Sequence, residues 1–170
     1  MLLFYLDTSA LLKRYKTEKG TNVIDELFSA RMEDEVFVTS HFTTVEVESA
    51  ASRALKGRVL NKKAYGVLLE LFAEDLETRV IALPVSTALF SESALIARRL
   101  ATRAGDALHL ATASRVKNAL AGNIVFVTSD LELVQASGAD GFTVVNPEDE
   151  DAMALLSVLR KRPEEDNESG

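Results

Sequence analysis

Four carboxylates stand where this sequence could do chemistry. Asp7 follows an unbroken apolar run, Leu2-Leu3-Phe4-Tyr5-Leu6, and Asp130 comes soon after another, Ile124-Val125-Phe126-Val127. Glu46 lies between Val45 and Val47 about one turn into a helical stretch, and Asp106 comes directly after Gly105. Hard divalent cations such as Mg²⁺ and Mn²⁺ prefer carboxylate oxygens. Bound singly or in pairs, such ions activate water for phosphodiester hydrolysis. Acids gathered in one place repel one another until a cation neutralises them. Each acid also has a plainer use. Asp7, Asp106 and Asp130 suit caps and turns, and Glu46 could be solvated like its neighbour Glu48. Spacing alone does not bring the four together.

Other polar side chains carry double readings too. His109, three residues after Asp106, can share its helix face. It could ligate a metal or act as a base, but a hydrogen-bonded structural role is the preferred reading. His41 reads as a loop residue with no catalytic task. Ser9 and Thr128 could bind a metal-bound water or a phosphate, or serve caps and strand ends. The bases Lys13, Arg14, Lys16, Lys19, Arg53, Lys56, Arg58, Lys62 and Lys63 could meet an RNA backbone or form ordinary solvated faces.

The elements that must position these residues alternate between strand and helix. The run 2–6 reads as a strand buried on both faces, with Thr8 and Ser9 capping a helix to Tyr15. Thr21 is expected to cap a helix over 22–31. A short strand over 36–38 leads to a helix over 43–55, closed by Gly57. Asn61 is expected to cap a helix to about Glu74. A third strand, 80–83, stops at Pro84, and Ser86 caps an alanine-rich helix ending near Thr102. Arg103-Ala104-Gly105 interrupts the pattern, and Asp106 opens the next helix. The fourth strand is 124–127, followed by a short helix over 131–136 and a turn at Gly138. A fifth strand over 142–145 and a last helix over 149–160 complete the body. Such alternation means α/β, with five strands in a parallel sheet covered on both faces. Asp7 then sits at the carboxyl edge, where open α/β sheets place ligands. If the strand order reverses between the first and fourth strands, Asp7 and Asp130 flank one crevice.

Composition bounds the rest. A chain of 170 residues, 47% hydrophobic and 26% charged, is sized for one globular domain, expected over 1–162. The acidic tail, 163–170, reads as disordered. With no cysteine, thiolate metal sites and cysteine nucleophiles are excluded. No stretch reaches the roughly 18 to 20 apolar residues of a membrane span, so a cytoplasmic protein is expected. The net charge is −7, yet the last 25 residues hold eight acids and three bases, so the body is close to neutral. Global charge therefore does not argue against a nucleic-acid partner.

Four blocks in order carry a resemblance. Leu6-Asp7-Thr8-Ser9-Ala10-Leu11, Val45-Glu46-Val47, Asp106-Ala107-Leu108-His109-Leu110-Ala111-Thr112-Ala113 and Val127-Thr128-Ser129-Asp130 resemble the PIN-domain family, over roughly residues 1 to 147. The likeness is to the VapC-type toxins of toxin–antitoxin pairs. It implies a three-layer α/β/α sandwich with a central, mostly parallel sheet and an acidic pocket for Mg²⁺ or Mn²⁺. It assigns the catalytic, metal-binding carboxylates to Asp7, Glu46, Asp106 and Asp130. It further implies an endoribonuclease acting on RNA, often a homodimer, inhibited by an antitoxin. The alternatives are an RNA-processing nuclease without an antitoxin and a non-enzymatic binding module. Phosphoryl transfer through an aspartate nucleophile is disfavoured, because Ser9 stands where that chemistry wants a second Asp.

Overall fold

The computed structural model describes residues 1–120 and 124–161. β1 (Leu2–Leu6) is its centre. Strand side chains alternate between faces, and an element apolar at every position needs cover on both. Leu3 and Tyr5 face one core, while Phe4 and Leu6 face the other. All four are at most 4% exposed.

The remaining elements are α1 (Thr8–Tyr15), α2 (Thr21–Ser29), β2 (Glu35–Ser40), α3 (Phe42–Lys56), α4 (Lys62–Thr78), β3 (Val80–Leu83), α5 (Thr87–Leu100), α6 (Ala104–Leu120), β4 (Ile124–Val127), α7 (Leu131–Ala139), β5 (Thr143–Val145) and α8 (Ala152–Arg160). The five strands order as β3-β2-β1-β4-β5, and every pairing is parallel. Helices α5, α6 and α7 cover one face of the sheet, and α1, α2 and α8 the other. This is the expected α/β/α sandwich. Helices α3 and α4 pack on each other through Val47, Ala51, Leu68 and Phe72. From β1 the chain moves outward to β2 and β3, then returns to β4 on the opposite side. The order therefore reverses between β1 and β4, which opens a crevice at their carboxyl ends.

Several local expectations shift. The cap of α1 is Asp7, whose side chain accepts from Ser9 N, so the helix begins at Thr8. Thr21 lies inside α2 and does not cap it. Its Oγ1 donates to the Lys13 carbonyl at 3.0 Å and accepts from Glu18 N at 2.9 Å. Helix α5 stops at Leu100, with Ala101 in the left-handed region at φ 54. Helix α6 starts at Ala104, two residues before Asp106, which is therefore a first-turn residue and not the cap. Gly105 does not interrupt it, because glycine keeps its N–H and costs a helix only about 1 kcal/mol of propensity. Helix α4 extends to Thr78, α7 passes through Gly138, β5 begins at Thr143 and α8 at Ala152. The expected acidic tail lies outside the described residues.

Candidate active site

Each of the four acids is brought to the crevice by a different local device. Asp7 continues from β1, and its N–H donates to the Val127 carbonyl of β4 at 3.0 Å. Its Oδ2 accepts from Ser9 N at 3.1 Å, Ser9 Oγ at 2.7 Å and Thr128 Oγ1 at 3.0 Å. The carboxylate is thereby fixed in orientation at 5% exposure. Ser9 and Thr128 thus spend their hydroxyls on Asp7, the strand-end reading of those residues. Asp130 caps α7, and its Oδ1 accepts from Glu132 N at 2.9 Å and Leu133 N at 3.3 Å. Capping and facing the crevice coexist in this residue.

Glu46 is half-buried on α3. Its Oε2 accepts from Thr8 Oγ1 and, at 2.7 Å, from His109 Nε2–H. Burial works to raise its pKa, but the hydrogen bond and charge of His109, then Thr8, outweigh burial and hold it below the ordinary value. Gly105 makes this approach of α6 to α3 possible. A Cβ there would come within 3.2 Å of Glu46 Oε1 and 3.3 Å of Phe42 Cε1.

Asp106 is the acid without local support. Its Oδ2 is buried with no hydrogen-bond partner among the described residues. Burial, then the charges of Asp130 and Asp7, push its pKa up to about 6, against the opposing pull of Arg103 and His109. Asp7, Glu46, Asp106 and Asp130 all line one cavity of about 400 Å³, walled by Leu12, Phe42 and Arg53.

His109 is 1% exposed, so it is built into the site without opening to solvent. Its Nδ1 lies 2.9 Å from Tyr5 OH, and its Nε2 is 3.4 Å from Asp7 Oδ1 as well as bonded to Glu46. Burial pulls its pKa down, but Asp7 and then Glu46 hold it above the ordinary value. Ligand atoms of Asp7, Glu46 and His109 lie within 4.8 Å of one another, close enough for one cation. Both His109 nitrogens already have partners, however, which matches the structural reading. His41 is exposed at the start of α3, with no side-chain capping bond.

The PIN domain family model matches residues 4–139. The chain belongs to the PIN domain family. VapBC-1 from nontypeable Haemophilus influenzae is similar to this PIN domain at a TM-score of 0.59 and 17% identity, with 86% of this chain and 99% of that one covered. VapBC2 from Rickettsia felis, bound to a DNA fragment from their promoter, gives 0.60 at 12% identity, with 84% and 96% covered. At these identities the likeness is one of fold. No curated protein matches the chain.

Two contributors to this PIN site were not legible as such. Tyr5 reads as one more apolar strand residue, and Thr8 as a cap. The available signal for Tyr5 was its place two residues before Asp7, on the same strand face, in an otherwise hydroxyl-free run.

Proposed function

We propose that this PIN domain is a Mg²⁺- or Mn²⁺-dependent endoribonuclease that hydrolyses RNA phosphodiester bonds as the toxin of a toxin–antitoxin pair. The observation that carries the reading is the shared cavity of Asp7, Glu46, Asp106 and Asp130, with Asp106 Oδ2 buried and without a hydrogen-bond partner among the described residues. An all-oxygen donor set in which burial and the charges of Asp130 and Asp7 raise the proton affinity of Asp106 suits a hard divalent ion. When bound, the ion supplies an activated water and stabilises charge on the phosphate oxygens.

The chain's own residues hold the frame for that chemistry. Ser9 and Thr128 occupy Asp7 Oδ2, and Thr8 and His109 anchor Glu46. The cap of α7 fixes one oxygen of Asp130. Asp106 retains a proton up to about pH 6 while the site is empty. The partners in this reading are RNA, an antitoxin protein and a second copy of the chain. Phe90 and Leu95 leave apolar surface on α5 for protein contact, at 59% and 62% exposure. The compartment is the cytoplasm; no helix among the described residues is long and apolar enough to cross a membrane.

The test is cleavage of total cellular RNA by purified protein with Mg²⁺ or Mn²⁺, read on a sequencing gel. Discrete metal-dependent fragments are expected, and Asp7→Asn should reduce their rate about 100-fold or more, because it weakens the hold on the ion that stabilises transition-state charge. Cleavage that persists in EDTA, or survives Asp7→Asn, contradicts the proposal.

A further inference from the structure

We infer that the turn between α3 and α4 is a docking surface for the phosphate backbone of single-stranded RNA, continuous with the acidic cavity. This rests on the ribonuclease reading and adds where the substrate strand lies.

The chain is acidic overall, yet from Ser49 to Leu69 it carries five bases and no acid: Arg53, Lys56, Arg58, Lys62 and Lys63. All five are exposed, and among the described residues none holds an ion pair. Most described bases elsewhere are treated differently, although Lys19, Arg31, Arg98, Lys117 and Lys161 also hold no ion pair. Lys13, Arg14, Lys16, Arg79, Arg99, Arg103, Arg115 and Arg160 each meet a carboxylate.

Folding alone does not favour this arrangement. Lys62 and Lys63 open α4, at the helix end whose dipole prefers acids, and its first turn contains none. Arg58 takes a left-handed backbone at φ 58, where glycine is the usual occupant. Five like charges spread over the end of α3, the turn and the start of α4 also repel one another. An external polyanion reverses the sign of that repulsion.

The surface is joined to the site. Arg53 stands seven residues, about 10 Å, along α3 from Glu46 and forms part of the cavity wall. A second cavity of about 280 Å³ shares Ser9, Leu12 and Ala50 with the first and reaches Ala54 on α3 and Leu60 of the turn. Lys13 and Lys16 lie along the same hollow. Its lining is largely apolar, which suits unpaired bases, and its lysines are paired with Glu18 and Glu148, so the unpaired positive charge that suits phosphates is that of the strip beside it.

The experiment uses the Asp106→Asn chain, to stop cleavage, and fluorescence anisotropy with a labelled single-stranded RNA of about 20 nucleotides, longer than one such groove occupies. Lys56→Ala, Arg58→Gly and Lys63→Ala are combined in one variant. Lys19→Ala, Arg98→Ala and Lys161→Ala, which remove equal charge elsewhere, form the control. The strip variant should bind at least tenfold more weakly. Its dependence on log salt should flatten by about 2, from three lost contacts at about 0.7 each. The control should change neither quantity. In the wild-type background, Mn²⁺ binding should be unchanged by either triple substitution, which separates this surface from the metal site. Equal losses in strip and control, or none in the strip variant, would overturn the assignment. So would unchanged RNA binding with lost binding of polyglutamate, which would make the surface a protein contact. Mn²⁺ binding by wild type, with no RNA binding by the Asp106→Asn chain, would instead overturn the ribonuclease reading itself.

Discussion

Asp7 and Asp106 differ most in what surrounds their oxygens. Three donors converge on Asp7 Oδ2, whereas Asp106 Oδ2 is buried with none among the described residues. An unpaired buried carboxylate oxygen costs stability, and the neighbouring charges of Asp130 and Asp7 add to that cost. The consequence for pH follows from linkage. Asp106 holds its proton to about pH 6 in the folded chain, against an ordinary value of 3.8. Its favourable contribution is therefore complete below pH 3.8 and is lost as pH rises to about 6. In EDTA, Asp106→Asn should stabilise the protein at pH 7 by about 1 kcal/mol, after discounting for solvent screening of this half-exposed group. The advantage should vanish near pH 4, below most of that titration. Thermal melts at the two pH values check this; an equal gain at both would contradict it.

Among the elements, α2 shows how a backbone requirement can replace a cap. Gly20 sits at its N-cap position with φ 86, and a Cβ there would meet the Pro147 carbonyl oxygen at 2.7 Å. Gly20→Ala should destabilise by roughly 1–3 kcal/mol, through strain and displacement of the loop after β5. Denaturant unfolding should show a lower midpoint with an unchanged slope. No shift in midpoint would contradict the packing described. Thr21 had the residue type of a cap, but Gly20 opens the helix and leaves its hydroxyl for the loop from Lys13 to Glu18. The start of α6 was obscured for a related reason. Gly105 reads as a breaker in sequence, yet in three dimensions its missing side chain is what lets Asp106 and Glu46 share a cavity. Local propensity signals helix ends well only when no neighbour competes for the same residue.

For the whole molecule, the sheet was legible because its strands are apolar at successive positions, a pattern that requires two covered faces. The arrival of Asp7 and Asp130 at one crevice followed from their place after β1 and β4, given the reversal in strand order. Partners distant in sequence were not legible. Lys13 looks like a surface base, yet it is 2% exposed and pairs with Glu18 and, at 2.6 Å, with Glu148. Glu35, 1% exposed, pairs with Arg160 and ties α8 to β2. Residue type cannot announce such burial, because it depends on which helix the fold lays alongside. In the proposed function the four carboxylates form one divalent-metal site, which titration of Mn²⁺ into the purified chain by calorimetry, with wild type and Asp106→Asn in parallel, checks. Saturable binding is expected, weakened tenfold or more by the substitution, about 1.4 kcal/mol. No saturable binding to folded wild type, or equal affinity in both chains, would contradict it.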